Sequence, residues 1–177
     1  QCILQILEPI CEAKFHDSSY GFRPNRNTEH AIAECARLMQ RQHLHYVVDI
    51  DIQGFFDNVC HSKLIKQIWH LGIRDKKLIC IIKEMLKANI VMPNGETIIP
   101  TKGTPQGGIL SPLLSNIVLN ELDWWVSSQW ATMPTHYSYK QKTNSKGTEI
   151  KSHTYRALRS SKLKEIYIVR YADDFKI

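Results

Sequence analysis

Apolar side chains return every three to four residues between positions 2 and 16 (Ile3, Leu4, Leu7, Ile10, Cys11), the spacing of one helix face, with Pro9 placed to kink or divide that helix. The Gly-, Pro- and Asn-rich run "SSYGFRPNRN" breaks the pattern and reads as a loop. Thr28 can then cap a helix whose buried face is Ala31, Ile32, Cys35, Leu38 and Met39. "HYVVDID" (45–51) alternates and is rich in β-branched residues, so it predicts a strand. "SKLIKQIWHLGI" and "DKKLICIIKEMLKA" predict two helices parted by Gly72, and "PNGE" a hairpin turn between Ile90–Met92 and Thr97–Pro100. After the "KGTPQGG" loop, Ser111 caps and Pro112 starts a helix to about Val126. A second hairpin closes the chain. Helices and strands mix without a βαβ rhythm, so the expected class is α+β with a small, mainly antiparallel sheet.

The 177 residues suffice for one domain with a hydrophobic core, and no apolar run approaches the roughly 20 residues of a membrane span. Five widely spaced cysteines with no C-x-x-C argue against a zinc site or disulfide framework and for a reducing compartment. The net charge of +6 is uneven. Residues 131–170 hold nine Lys/Arg against Glu149 and Glu165, a local +7, while residues 1–130 balance thirteen of each sign. Such a block suits a polyanionic partner, most often nucleic acid; a solvated, mobile loop without a partner is the competing reading.

Candidate chemistry lies in the acids. Strand alternation puts Asp49 and Asp51 on one face, just before Gly54 turns the chain. In "YIVRYADDFKI", Asp173 and Asp174 interrupt an apolar strand pattern at a hairpin tip. Adjacent aspartates repel unless cations compensate, and Mg²⁺ prefers carboxylate oxygens while leaving positions for phosphates. Two such ions about 3.5–4 Å apart support in-line displacement at a phosphate. Taken alone, "DD" also serves as an ordinary polar turn.

"SSYGFRPNRNTEHAI", "DIDIQGFFDNV", "GTPQGGILSPLLSNIVLNELD" and "YADD", in this order, resemble the reverse transcriptases encoded within group II introns, also called maturases. The resemblance implies a right-hand polymerase palm, a small mainly antiparallel sheet flanked by helices, with incomplete fingers and no thumb. Residues 1–45 and 61–106 would belong to the fingers, and 46–60 and 107–177 to the palm, with a basic insertion at about 127–165. Asp51, Asp173 and Asp174 would be the catalytic, metal-binding carboxylates. They would hold two Mg²⁺ ions, with Mn²⁺ as a substitute, and the backbone carbonyl of Ile52 would join one ion. Phe56 matches the aromatic that excludes a 2′-OH and so selects dNTPs. Gln106 matches a nucleotide contact, and Gly107 and Gly108 allow close backbone approach. Asp49 matches no catalytic position, and Asp57 is a structural or supporting acid.

Arg23 and Arg26 are candidate RNA-phosphate contacts, with loop anchoring as the alternative. Lys140, Lys142, Arg156 and Arg159, in the basic insertion, are expected to touch RNA from a mobile loop. The implied partners are intron RNA, an RNA template with a DNA primer, and dNTPs; no membrane is implied, and nothing in the sequence argues for or against a homodimer. The implied setting is a bacterial cytoplasm or an organelle. The family's upstream triphosphate-holding segment and downstream thumb have no counterpart among these residues, so the expectation is a fragment that is catalytically poor alone. The implied activity is RNA-directed DNA synthesis on intron RNA, joined to RNA binding for splicing and mobility. A maturase acting only as a splicing cofactor is the alternative, and another palm-fold nucleotidyltransferase such as a diguanylate cyclase a distant third.

Overall fold

The computed structural model describes residues 1–177 apart from 42, 106, 141, 146 and 148. The helix α6 (Ser111–Gln129) organises the chain, because it is buried on nearly every side. Along its first half Leu113, Leu114, Ile117 and Leu119 meet α1 (Cys2–Glu12), α4 (His61–His70) and α5 (Lys76–Leu86) through Leu7, Cys11, Leu64, Ile68 and Ile82. Each fully buried aliphatic side chain of this kind contributes about 1.5–3 kcal/mol. Pro9 leaves α1 unbroken. It lies on the exposed flank together with Gln5, to whose carbonyl it cannot donate the usual helical hydrogen bond and which water can reach.

Further along α6, Val126 packs with Ile168 and Phe175 against a three-stranded antiparallel sheet in the order β1 (Asp49–Ile50), β7 (Asp174–Lys176), β6 (Val169–Tyr171). The opposite face of that sheet receives α2 (Thr28–Met39) through Ala31, Leu38 and Val169. The sheet is thus held between α2 and α6, an α+β arrangement. The short helix α3 (Phe55–Asn58) follows β1, and two small hairpins lie outside the sheet: β2 (Ile90–Val91) with β3 (Thr97–Ile98), and β4 (Lys142–Thr143) with β5 (Glu149–Ile150). Helix α7 (Ser152–Arg159) precedes the final hairpin. Among the described residues no helix is long and apolar enough to cross a membrane.

Five expectations are corrected. Of the strand anticipated over 45–51, β1 takes only Asp49 and Ile50, which pair with Lys176 and Phe175; Val48 exchanges hydrogen bonds with Ile177, and Tyr46 and Val47 are exposed. Asn27, not Thr28, caps α2, its Oδ1 accepting from the His30 amide at 2.9 Å, since an Asx side chain reaches the third amide of the helix more readily from that position. Ile32 and Met39 are exposed, because only the narrower Ala31–Leu38 stripe faces the sheet. Ser111 does not cap α6; its hydroxyl donates to the Pro105 carbonyl at 2.6 Å and ties down the preceding loop. Finally, the basic insertion is not one mobile loop. Its α7 is docked by the buried Leu158 and by Tyr155 stacked on the fully buried Trp130, ring centroids 5.3 Å apart.

Candidate active site

The three aspartates lie at the ends of two neighbouring strands, Asp51 just after β1 and Asp173 and Asp174 where β6 turns into β7. Register pairs Asp49 with Lys176 and Ile50 with Phe175, so one further step brings Asp51 level with Asp174, while Asp174 itself pairs with Tyr171 across the hairpin. Asp173 occupies the turn. Asp51 and Asp174 are exposed and Asp173 is half-buried, so all three keep contact with water rather than being sealed in the core. None of the three forms a side-chain hydrogen bond or ion pair with the described residues. Asp49 differs: its carboxylate meets Lys176 Nζ at 2.6 Å, at the surface.

Carboxylate oxygens are the donors that Mg²⁺ prefers, and these carboxylates have no ion-pair partner among the described residues, so the donor set fits such an ion in chemistry. The geometry is looser than the sequence suggests. Among the described residues no group of three or more His, Cys, Asp or Glu stands close enough together to hold a metal. Three like charges repel, and register alone brings them side by side without drawing them to one point.

The turn that carries Asp173 is tightly specified. Ala172 is buried and left-handed, with φ of 57°, a conformation that costs a non-glycine residue about 1 kcal/mol. Its carbonyl accepts a 2.8 Å hydrogen bond from Arg170 Nη1. Arg170 is itself fully buried. Its Nε donates to Asp123 Oδ1 at 2.8 Å, its Nη2 to Asp123 Oδ2 and to Ser19 Oγ, both at 2.7 Å, and its Nη1 also to Asn116 Oδ1 at 3.0 Å. Asn116 turns its Nδ2 to the Gly21 carbonyl at 2.9 Å. Arg170, counted by sequence with the basic block, is therefore an internal, neutralised residue.

"SSYGFRPNRN" forms the other wall. The Tyr20 amide donates to the Arg170 carbonyl and the Arg170 amide to the Ser18 carbonyl, so this stretch lies along β6 as a short parallel partner. Gly21 lies against the hairpin turn, where a Cβ would come within 2.3 Å of the Ala172 nitrogen, a distance no side chain survives. Phe22 then meets Phe56 edge-on at 6.3 Å.

Phe56 is half-buried on α3, packed against the main core and edge-on to the buried Phe55 at 5.6 Å. The "GTPQGG" loop is fastened to the same turn. Gly103 donates to the Val59 carbonyl and Thr104 to the Phe56 carbonyl, each at 2.8 Å, and His61 Nε2 lies 2.6 Å from the Gly103 carbonyl. Gly103 has φ of +86°, and its absent Cβ would meet the Asp57 carbonyl at 2.9 Å. Gly107 holds φ of +76° in open space, and a Cβ on Gly108 would press on Ser111 Oγ at 2.8 Å. Gln106 lies outside the described residues.

Of the candidate RNA contacts, Arg23 is corrected. It is buried, with Nη2 2.9 Å from Glu12 Oε2 and Nη1 donating to the carbonyls of His16 and Ser19, which makes it the anchor of its loop. Arg26 lies over the Tyr20 ring and donates to the Asp17 carbonyl, so it too is largely occupied within the loop. Arg159 is taken up by Glu165, Nε to Oε2 at 3.0 Å. Burial works against the charge of Glu165, but hydrogen bonds from Arg159 and Tyr167 outweigh it and hold its carboxyl below the ordinary range. Lys140, Lys142 and Arg156 are exposed.

Sequence reasoning missed Ser19, Asn116, Asp123 and Arg170 as members of the site. One signal was available. Asn116, Asn120 and Asp123 follow one another at i, i+4 and i+7 in a helix rich in Leu, Ile and Val, and such a polar stripe inside a buried helix must face polar partners.

The family model described as "Reverse transcriptase (RNA-dependent DNA polymerase)" matches residues 1–177. The chain is similar to the Group II intron-encoded protein LtrA of Lactococcus lactis subsp. cremoris, 45% identical over 121 residues that cover 68% of this chain and 20% of that protein. It is similar to Protein YkfC of Escherichia coli (strain K12), 35% identical over 137 residues, covering 73% and 34%. It is similar also to the Putative COX1/OXI3 intron 2 protein of Saccharomyces cerevisiae, 30% identical over 193 residues, covering 97% and 22%. The chain thus spans about a third or less of the length of these relatives.

Proposed function

Since this chain belongs to the reverse transcriptase (RNA-dependent DNA polymerase) family, we propose that it is the catalytic palm, with part of the fingers, of a group II intron-encoded polymerase that copies intron RNA into DNA and binds that RNA to assist splicing and mobility. The observation that carries this reading is the row of carboxylates: Asp51 directly after β1, Asp174 at the start of the paired β7, Asp173 on the turn between β6 and β7, all without an ion-pair partner among the described residues. Asp51, Asp173, Asp174 and the Ile52 carbonyl would hold Mg²⁺. When bound, the metal supplies charge neutralisation at the reacting phosphate and acidifies the attacking 3′-hydroxyl.

The chain's own residues set the frame around that reaction. Asp173 and Asp174 are carried by the β6–β7 hairpin and Asp51 follows β1, the strand paired with β7, and side chains borne on paired strands position ligands better than a loop does. Phe56 is held from two sides, by Phe55 and Phe22, as a wall against the sugar's 2′ position. The "PQGG" loop, fastened to the Phe56 turn by Gly103 and Thr104, offers a glycine backbone on which a nucleotide can lie. Lys140, Lys142 and Arg156 present positive charge to RNA.

The deciding experiment is RNA-templated extension of a DNA primer by the intact parent protein with Mg²⁺ and dNTPs. Extension supports the polymerase reading. No extension, with intron-RNA binding retained, replaces it with a splicing cofactor. In the same assay Phe56→Ala should raise rNTP incorporation relative to dNTP on the order of tenfold to a hundredfold, the scale on which a pocket's steric contacts discriminate. Unchanged sugar discrimination would remove Phe56 from that role. Replacing Lys140, Lys142 and Arg156 together by Gln should flatten the salt dependence of RNA binding by about 2 in log–log slope, near 0.7 for each phosphate left without its cation. An unaltered slope would leave the segment as a solvated surface.

A further inference from the structure

Arg170 uses all five of its N–H donors inside the protein: three toward Asp123 and Ser19 on one edge, two toward Asn116 and Ala172 on the other. A guanidinium so enclosed has no freedom to bind RNA or nucleotide. What it touches is informative. Asp123 and Asn116 belong to α6, Ser19 to the loop along β6, and Ala172 to the turn immediately before Asp173. These three pieces are far apart in the chain, and the one side chain on which they converge is two residues from the hairpin tip.

We propose that the buried Arg170 guanidinium, clamped by Asp123, Asn116 and Ser19, is a positioning residue that holds the left-handed turn at Ala172 and thereby sets where the Asp173 carboxylate stands relative to Asp51. This rests on the polymerase reading and deepens it. Left to itself, an alanine leaves positive φ readily, and a relaxed turn would swing the next carboxylate away from the row. The bond from Arg170 Nη1 to the Ala172 carbonyl opposes that relaxation from below, and the close face of Gly21 opposes it from the side. The planar fork is what the site requires. A lysine keeps the charge, but its three donors cannot span Asp123, Asn116 and Ala172 at once.

The test uses the intact parent protein and Mn²⁺ as the probe, with bound and free ion distinguished by electron paramagnetic resonance. Binding that Asp51→Asn removes defines the site. Arg170→Lys, measured well below its own melting temperature, should weaken that binding about 10–100-fold, the usual effect of removing a support behind a metal ligand. Ser19→Ala, which deletes a single hydroxyl and is the safer variant to fold, should weaken it about twofold to tenfold. Both should raise the Mg²⁺ concentration needed for half-maximal primer extension and leave intron-RNA affinity where it was. Folded Arg170→Lys and Ser19→Ala proteins that bind Mn²⁺ as the parent does would overturn the inference and leave Arg170 as a core ion pair. Should Arg170→Lys fail to fold, the Ser19→Ala affinity decides alone. Failure of the polymerase reading looks different: the parent itself would show no Mn²⁺ binding that Asp51→Asn abolishes, and the positioning role would fall with it.

Discussion

Asp51→Asn in the intact parent protein is expected to lower RNA-templated primer extension by at least about a thousandfold, roughly 4 kcal/mol of transition-state stabilisation. The substitution changes one oxygen to an amide nitrogen, with almost the same volume and no core to disturb, because Asp51 is exposed and makes no hydrogen bond or ion pair with the described residues. What is lost is an anionic donor at the end of β1, opposite the hairpin of Asp173 and Asp174. The check is a single-turnover extension assay with a filter-binding measurement on the same preparation. Intron-RNA affinity should stay within about twofold of the parent, since one exposed carboxylate contributes no attraction to phosphate. Loss of both readings together would make Asp51 a folding residue and remove the metal assignment.

The second large effect concerns stability. Asp123→Ala should cost about 3–5 kcal/mol, because it strands the Arg170 charge in a fully buried setting. For a domain of this size that corresponds to a fall in melting temperature of at least about 6 °C, measurable by calorimetry on the intact parent. The pair's net worth is a separate quantity. Replacing both partners by apolar residues of similar volume, Asp123→Leu with Arg170→Met, should recover most of the loss, since taking two charges out of water offsets much of their attraction. A double variant as unstable as the single one would mean that Asn116, Ser19 and Ala172 depend on Arg170 for more than charge balance. The same double variant should remain poor at binding Mn²⁺, because methionine cannot hold the Ala172 carbonyl.

The stretch of 23 residues from Ser18 to Gln40 illustrates how a sound local reading meets a global constraint. The Gly, Pro and Asn content of its first ten residues announces a loop, and loop it largely is before α2 begins, yet Arg23 turns inward and Arg26 lies over the Tyr20 ring. Arg23 is near Glu12 in sequence, but a sequence offers no way of choosing between that carboxylate and a phosphate outside. Folding chooses, because Glu12 and the carbonyls of His16 and Ser19 form a ready-made cage around the guanidinium. The basic block teaches the same lesson. Nine cations count equally on paper, while in space Arg170 is sealed in the core and Arg159 is spent on Glu165.

The helices with clear 3.6-residue periodicity, the β6–β7 hairpin and the α+β class are legible in the sequence, which also singles out three aspartates as candidates, because each of these is written in side-chain spacing or in residue types at short range. The tertiary structure alone decided which partners those elements found. It set Asp49 and Ile50 against Lys176 and Phe175, and it exposed Ile32 and Met39 by turning a narrower stripe of α2 to the sheet. It also joined Ser19, Asn116, Asp123 and Arg170 across as many as 151 positions of sequence separation. The reason is physical. Local pattern reports which surfaces must be buried, whereas hydrogen-bond and ion-pair partners are selected only when those surfaces close on one another and every buried polar group must find its match.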